Sequence, residues 1–253
     1  MASHSNGDRP LRFAIEPGGP ELLVRPEVAI IAGYAGRDRT AIDEHIHELE
    51  KLGIAPPTSV PAFYSVPPQL LTQGAALVTT EVATSGEAEA TLVVHEGEIF
   101  VAIGSDHTDR AAERLDIPLS KRSCDKLLGS SAWRLEDVVD RWDGLGLRSW
   151  IGADASELYQ DGALGSLLPP RELLAAIPWR REPRSFVLFC GTLPTVAGMR
   201  ISPRFRAQLC DPSTESLLEL DYAIETCDHI ESAADDDRPL TPADSGGAPS
   251  AAR

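Results

Sequence analysis

The sequence predicts a β-rich α+β fold in a single domain. Six segments are β-branched or alternate between apolar and polar residues, and each is bounded by glycine, proline or polar turns. Helical periodicity is clear in only two segments and weaker in a third. The 253 residues, 42% of them hydrophobic, are enough to bury a sizeable core and suit one large domain.

Along the chain, the predicted strands are interrupted by a few short predicted helices. The predicted strands are 11–16 (LRFAIE), 27–36 (EVAIIAGYAG), 75–83 (AALVTTEVA), 90–104 (ATLVVHEGEIFVAIG), 185–193 (SFVLFCGTL) and 216–226 (SLLELDYAIET). The predicted helices are 40–53 (TAIDEHIHELEKLG), 135–142 (LEDVVDRW) and, with a weaker pattern, 170–177 (PRELLAAI). The 20 prolines are spread among the connections, which is typical of many short strands joined by irregular loops.

The two ends of the chain predict disorder. Residues 1–9 are polar, and residues 230–253 are rich in Asp, Ala, Pro, Ser and Gly, with little that could pack. The folded domain is therefore expected to occupy residues 10–229, followed by an acidic tail.

The composition argues against two classes of partner. Lys and Arg number 23 against 39 Asp and Glu, so the formal charge of −16 repels phosphate backbones and anionic membrane surfaces.

The amino terminus lacks an apolar signal core, and the chain has no run of about 18 apolar residues. Four widely separated cysteines without a C-x-x-C pair indicate reduced thiols. We expect a cytoplasmic protein with no nucleic-acid or membrane partner.

Residues 85–110 predict a β-hairpin that turns at Glu96-Gly97, where glycine can adopt the positive φ that a two-residue turn needs. The register that this turn fixes puts apolar residues on one face of both strands, which is expected to pack on the core. That face consists of Ala88, Ala90, Leu92, Val94, Ile99, Val101 and Ile103.

The same register brings three acidic residues together. Glu87 lies opposite Asp106 and Glu89 opposite Gly104, so the three carboxylates share one patch. Neighbouring carboxylates repel each other unless a cation neutralises them, and Mg²⁺ does so through a few carboxylate oxygens while keeping positions open for water or substrate. The alternative is three solvated surface groups.

The first predicted helix has a histidine and a glutamate on one side. Thr40 can cap it, with Asp43 three residues on, and Gly53 can end it. His45 and Glu48 flank the apolar stripe on the same side, close enough to hydrogen-bond. A carboxylate that orients an imidazole makes it a better general base for water. The alternative is a surface pair of no chemical importance.

Five segments carry polar motifs in a fixed order: 33–64, which includes H-x-x-E; 85–90, with the E-x-E pair; 104–110 (GSDHTDR); 158–164 (LYQDGAL); and 189–212, with its Gly-Thr turn. They resemble the segments of the fumarylacetoacetate hydrolase superfamily, in the same order, and the chain resembles one of its shorter bacterial branches, a domain family of unknown function. The resemblance covers residues 28–228 and implies a mixed β-sandwich or roll with a few short helices, commonly assembled as a homodimer.

The resemblance also implies roles for individual residues. The metal ligands would be Glu87, Glu89 and Asp106, holding Mg²⁺ or Mn²⁺, with Ca²⁺ as an alternative. The water-activating dyad would be His45 and Glu48; Arg110 and Lys121 would face a developing oxyanion; Gln160, Gly191 and Thr192 would bind the substrate.

Two departures from the family pattern lie in this region. Typical members have a longer stretch, containing a helix, between the second Glu and the Asp of the metal set. They also have Gln where this chain has Glu113, which places an anion beside the proposed oxyanion site.

The function that the resemblance implies is hydrolysis of a carbon–carbon bond in a small β-diketo or 2-oxo acid, such as an acylpyruvate, by a metal-dependent enzyme. One alternative is decarboxylation or keto–enol tautomerisation of an oxaloacetate-type acid on the same metal. Another is a non-catalytic relative that only binds a metal or ligand.

Overall fold

The computed structural model describes residues 9–51, 55–80 and 83–227, without the side chains of His45 and Leu49. Nearly all of the two predicted disordered ends lies outside these ranges. Their disorder and the single domain at 10–229 therefore stay predictions.

Sixteen strands and five α-helices occur in the described residues. The strands are β1 (Leu11–Glu16), β2 (Glu21–Val24), β3 (Val28–Gly33), β4 (Ala62–Val66), β5 (Leu71–Thr72), β6 (Ala76–Thr79), β7 (Thr84–Ser85), β8 (Ala88–His95), β9 (Glu98–Ser105), β10 (Thr108–Asp109), β11 (Lys126–Arg134), β12 (Gly146–Ile151), β13 (Glu157–Ala163), β14 (Ser185–Thr192), β15 (Arg204–Asp211) and β16 (Ser216–Thr226). The α-helices are α1 (Arg39–Lys51), α2 (Arg110–Glu113), α3 (Ile117–Arg122), α4 (Leu135–Val138) and α5 (Pro170–Ala176). Short 3-10 turns occur at Pro68–Leu70, Val139–Gly144 and Leu164–Ser166.

The α1 helix begins earlier than predicted, because Asp38 rather than Thr40 caps it. Asp38 Oδ1 accepts hydrogen bonds from the amides of Thr40 and Ala41, with N···O distances of 3.0 and 3.1 Å. The predicted end of the helix at Gly53 lies outside the described residues.

The strands form two large sheets and one small one. A nine-stranded mixed sheet has the order β2-β1-β11-β9-β8-β14-β3-β4, with β5 also paired to β11. A five-stranded sheet has the order β13-β12-β15-β16-β6, and β7 pairs with β10 in a two-stranded ladder. The β8–β9 hairpin therefore lies in the middle of the larger sheet.

The larger sheet is buried on both faces. One face packs against the smaller sheet, so that residues such as Leu92 and Ile103 share a core with Leu209 and Leu220. A second core contains only residues from the nine strands of the larger sheet, among them Phe13 and Phe100, because that sheet curls around it.

This architecture confirms the predicted β-rich α+β fold with a mixed sandwich, a roll and few short helices. It also confirms the predicted core face of the hairpin. The opposite face of the hairpin, which continues from the acidic residues, is also buried along most of its length. In the described part of the chain, no helix is long and apolar enough to span a bilayer.

Candidate functional site

The β8–β9 hairpin has the predicted register. Glu89 pairs with Gly104, and beyond it the amide of Asp106 donates a hydrogen bond to the carbonyl of Glu87, with an N···O distance of 3.0 Å. Both turn residues, 96–97, have positive φ, as a two-residue hairpin turn requires. The three predicted acidic residues thus meet where β8 begins and β9 ends.

Glu89 is a deeply buried carboxylate that forms no direct ion pair with a cationic side chain among the residues that the structure describes. Its residue is 2% exposed, and its Oε2 accepts a hydrogen bond from the Gly191 amide at 2.7 Å. Burial, and then the negative charges of Asp106 and Glu87, raise the pKa of Glu89 well above its ordinary value, although Lys121 opposes them. At neutral pH the negative charge of this carboxyl group is therefore unfavourable unless a proton or a cation neutralises it.

Asp106 lies between two lysines. Lys121 Nζ is 2.5 Å from Asp106 Oδ2, and Lys126 Nζ is 3.1 Å from Oδ1. Burial acts to raise the pKa of Asp106, but the positive charges of the two lysines outweigh it and lower the pKa to about 2. Lys126 forms an ion pair with Oδ1, but its ammonium is not oriented for a hydrogen bond to that atom. The buried Oδ1 therefore accepts no hydrogen bond.

Arg110 pairs with two glutamates. Its Nη2 is 3.1 Å from Glu87 Oε2 and its Nη1 is 2.8 Å from Glu113 Oε2, while its Nε donates to Ser85 Oγ at 2.7 Å. Burial alone would lower the pKa of Arg110, but Glu87 and Glu113 raise it above its ordinary value. The guanidinium is therefore fixed and permanently charged.

Lys121 and two tyrosines complete this group. Burial opposes the charge on Lys121, yet Asp106, Glu87 and Glu113 raise its pKa, so the ammonium stays protonated. Burial and then Glu113 raise the pKa of Tyr34, and burial and then Tyr34 raise that of Tyr64 to about 12. Both phenols are thus neutral donors near Glu113 and Lys121.

The predicted substrate-binding residues Gln160 and Thr192 hold the start of β8. Gln160 Nε2 donates to Thr192 Oγ1 at 2.7 Å and to the Leu193 carbonyl at 2.8 Å, while Gln160 Oε1 accepts from the Ala88 amide and from Ser149 Oγ. The Thr192 hydroxyl donates to the Ala88 carbonyl at 2.8 Å. The Gln160 amide has used its full hydrogen-bonding capacity inside the protein. These hydrogen bonds show that Gln160 positions the start of β8, while its contact with substrate stays a prediction.

Gly191, the third predicted substrate-binding residue, contacts Glu89, one of the metal-ligand candidates. Gly191 has a φ of +95° and lies in a β-bulge of β14, where the strand shifts register against β8. This conformation, which favours glycine, aims the Gly191 amide at the Glu89 carboxylate.

Sequence reasoning missed a buried polar network behind Asp106. Lys126 is fully buried, and its Nζ also donates to the carbonyl of His107. His107 Nδ1 lies 3.0 Å from Tyr222 Oη and Nε2 lies 2.9 Å from Thr84 Oγ1. Burial, and then the positive charge of Lys126, lower the pKa of His107 to about 3, so the ring is neutral. Lysine is rarely buried in this way, so the sequence pattern held no signal for it.

The structure does not test whether His45 and Glu48 form the predicted dyad. Both residues lie on α1, as predicted, and Glu48 is exposed. The side chain of His45 lies outside the described residues, so the dyad stays a prediction.

The side chains of Glu87, Glu89 and Asp106 are not already arranged as a metal site. Among the described residues, no group of three or more His, Cys, Asp or Glu side chains is spaced to hold a metal ion. Lys121 and Arg110 instead lie against Asp106 and Glu87. The donor set still suits a hard divalent cation, since it offers three carboxylates and one buried oxygen without a hydrogen bond. An ion would have to compete with these two cationic side chains and, at Asp106 Oδ1, with Lys126.

A cavity of about 430 Å³ lies elsewhere. It is lined by the hairpin tip, His95 and Glu96, and by Arg184 and Ser185, among others. At about 3.3 Å per strand residue, the length of β8 separates this cavity from Glu89 by roughly 20 Å. It is therefore distinct from the carboxylate site.

Comparisons with known proteins bear on both the family and the fold. Residues 32–222 match the family model described as a protein of unknown function, DUF2848. No curated protein matches the chain in sequence.

Solved structures share the fold at low sequence identity. A candidate fumarylpyruvate hydrolase from Burkholderia cenocepacia is 14% identical, with 87% of this chain and 96% of that chain covered and a TM-score of 0.58. A 2-keto-3-deoxy-D-arabinonate dehydratase complexed with magnesium and 2,5-dioxopentanoate is also 14% identical, with 82% and 76% covered and a TM-score of 0.59. The 4-oxalocrotonate decarboxylase from Pseudomonas putida G7, complexed with calcium and acetate, is 16% identical, with 78% and 77% covered and a TM-score of 0.52.

Proposed function

This chain belongs to the protein family of unknown function DUF2848 and has the fold of the fumarylacetoacetate hydrolase superfamily, and on that basis we propose that it is a divalent-cation-dependent enzyme acting on a small oxo acid. The proposed reaction is hydrolysis of a carbon–carbon bond in a β-diketo or 2-oxo acid such as an acylpyruvate. The names of the fold neighbours support this class, because they include a candidate hydrolase, a dehydratase and a decarboxylase of oxo acids.

The observation that carries the proposal is the excess of buried negative charge at Glu89. Its carboxylate lies near those of Glu87 and Asp106, and its pKa is raised well above the ordinary value by burial and by these neighbours. A buried carboxylate in this state is costly unless a cation or a proton joins it. Magnesium and calcium complexes among the fold neighbours support a divalent cation.

Glu87, Glu89 and Asp106 would hold the ion, which we propose to be Mg²⁺ or Mn²⁺, with Ca²⁺ as an alternative. When bound, the ion supplies Lewis acidity for a substrate carbonyl and positive charge for a departing enolate. Gly191, Thr192 and Gln160 keep the start of β8 in place, because they bond to Glu89 and Ala88.

Arg110 and Lys121 are the proposed donors to the oxyanion. Both are largely buried, both remain charged at neutral pH, and both lie against the carboxylate group. In hydrolysis, water adds to the acyl carbonyl, the adjacent carbon–carbon bond breaks, and its electron pair leaves with the pyruvate enolate, which is then protonated. Charge that develops on the carbonyl oxygen is stabilised by such preorganised donors.

His45 is the proposed general base. It would take a proton from the attacking water, with Glu48 orienting its ring from the next turn of α1.

A second candidate reaction uses the same residues. Decarboxylation or keto–enol tautomerisation also needs a stabilised enolate, and the decarboxylase among the fold neighbours favours it. A non-catalytic binding protein is the third candidate, favoured by the pairing of Lys121 and Arg110 with two of the proposed ligands. Release of CO₂ identifies decarboxylation, an unchanged mass identifies tautomerisation, and binding without turnover identifies the third.

Turnover of acetylpyruvate tests the proposal. Pyruvate release is expected with Mg²⁺ or Mn²⁺, is expected to stop after chelation, and should return when the metal is restored. Glu89→Gln should abolish pyruvate release. Glu136→Gln should not, because Glu136 is exposed on α4, which follows the end of β11 that lies away from Lys126. Equal rates before and after metal removal would exclude the proposed mechanism.

Two further features remain proposals. We propose a homodimer, which sedimentation can test, and a cytoplasmic location without a nucleic-acid or membrane partner.

A further inference from the structure

Glu113 occupies the space between the two proposed oxyanion donors. Its Oε2 is 2.8 Å from Arg110 Nη1, and its Oε1 is 4.0 Å from Lys121 Nζ. Its side chain is 31% exposed, against 15% for Arg110 and 10% for Lys121, so it lies on the solvent side of both cations. A substrate that approaches these cations from solvent meets this carboxylate first.

The charge balance of the site depends on Glu113. The site contains four carboxylates, those of Glu87, Glu89, Asp106 and Glu113, and three cations, those of Arg110, Lys121 and Lys126. With a divalent ion the site has one net positive charge. That charge balances one carboxylate of a substrate and leaves a second one unbalanced.

From this arrangement we propose that Glu113 determines specificity: it directs the site toward 2-oxo acids that have a single carboxylate and an uncharged arm, and against dicarboxylates. This inference rests on the proposed function and names its substrate class.

The physical reason is competition for the same donors. A second substrate carboxylate would have to displace Glu113 from Arg110 or lie beside it, and like charges at such distances repel strongly in a partly desolvated site. Discrimination by an unfavourable contact is a general route to specificity.

The neighbouring tyrosines suit an uncharged arm. Tyr34 and Tyr64 lie near Glu113 and Lys121 and keep their phenolic protons at neutral pH. Neutral hydroxyl groups can hydrogen-bond a ketone or hydroxyl group of the arm, but they add no positive charge for a carboxylate.

A matched pair of unreactive ligands tests the proposal. 2-Oxopentanoate and 2-oxoglutarate have the same number of carbons and differ in their last group, a methyl or a carboxylate. Calorimetric titration of the Mg²⁺-loaded protein should show tighter binding of 2-oxopentanoate. Glu113→Gln should shift the ratio of the two dissociation constants by about tenfold toward 2-oxoglutarate. Glu136→Gln removes the same charge far from the site and should leave the ratio unchanged.

Each outcome decides a separate point. Preference of the wild type for 2-oxoglutarate, equal binding, or an unchanged ratio in Glu113→Gln overturns the role of Glu113 and leaves the proposed function standing. Failure of the wild type to bind either acid in the presence of Mg²⁺ overturns both. The wild-type comparison decides the inference even if the variant does not fold.

Discussion

His107 shows how one buried residue can make stability depend on pH. Its ring is fully buried between the hydroxyl groups of Tyr222 and Thr84, and burial lowers its pKa from 6.5 to about 3. The unfolded chain therefore binds a proton below pH 6.5 that the folded protein does not bind until about pH 3. Stability is lost as the pH falls through this window.

The prediction is a difference between wild type and His107→Gln. In the metal-free protein, the free energy of unfolding of the wild type should fall more steeply between pH 6.5 and pH 3, by about 1.4 kcal/mol per pH unit relative to the variant. Glu89 titrates in both proteins, so its contribution cancels to first order. Urea denaturation across this range measures the two slopes, and parallel slopes would contradict a neutral buried His107.

Lys121 affects metal affinity and reaction rate in opposite directions. Its ammonium lies 2.5 Å from an oxygen that a metal would need, yet it is also a proposed oxyanion donor. Lys121→Met should bind Mg²⁺ about tenfold more tightly, because one competing charge is gone. It should react about 10²- to 10³-fold more slowly, because a donor is lost.

Calorimetry and steady-state kinetics measure these two effects separately. Lys51→Met, an exposed change at the end of α1, is the control for the loss of one positive charge and should leave the Mg²⁺ affinity unaltered. Weaker Mg²⁺ binding by Lys121→Met would show that the ammonium does not compete with the ion.

At the scale of secondary-structure elements, the hairpin is the most predictable part of the molecule. Its register follows from local information, a glycine turn and alternating apolar residues, and the observed pairing of Glu89 with Gly104 matches it. Local information of this kind is enough to place the three acidic residues together from the amino-acid sequence alone. The pairing of these residues with Lys121, Lys126 and Arg110 depends on distant elements, which a local pattern does not reveal.

Several strands were not predicted, and their sequences show why. β11 (KLLGSSAWR) and β13 (ELYQDGA) contain glycine with serine or aspartate, which favours turns, and β15 (RFRAQLCD) has two arginines in its first three residues. Each becomes a strand because neighbouring strands pair with it on at least one side. Strand preference depends strongly on such context.

The bulge at Gly191 allows a test at this scale. A Cβ at residue 191 would lie 2.9 Å from the Ala35 Cβ, whereas one at Gly198 would have no atom within 4 Å, although both residues have positive φ. Gly198→Ala should cost about 1 kcal/mol of backbone strain. Gly191→Ala should cost about 1–3 kcal/mol more, because it adds overpacking and disturbs the hydrogen bond to Glu89.

Chemical denaturation of both variants measures the difference. Equal losses for Gly191→Ala and Gly198→Ala would mean that only backbone conformation matters at Gly191. Reduced Mg²⁺ affinity in Gly191→Ala alone is the expected sign that the bulge aligns Glu89.

At the scale of the whole molecule, Glu89 links stability to the metal. Its raised pKa means that its charge costs folding free energy once the pH exceeds its ordinary value of 4.5. In the metal-free protein at neutral pH, Glu89→Gln should therefore be more stable than the wild type. Mg²⁺ at about 100 times its dissociation constant should stabilise the wild type by about 2.7 kcal/mol and the variant by much less.

Thermal unfolding with and without Mg²⁺ checks both statements. The outcome that would contradict them is a variant that is less stable than the wild type without metal and is stabilised equally by Mg²⁺.

The pairing of distant segments sets the order in which the chain can fold during synthesis. β1 pairs with β11, β3 with β14 and β6 with β16, so early strands need partners that emerge from the ribosome more than 100 residues later. Until then their edges are open to neighbouring chains. We expect slow refolding, on a scale of milliseconds to seconds or longer, and a yield of native protein that rises when the concentration is lowered or a chaperone is present.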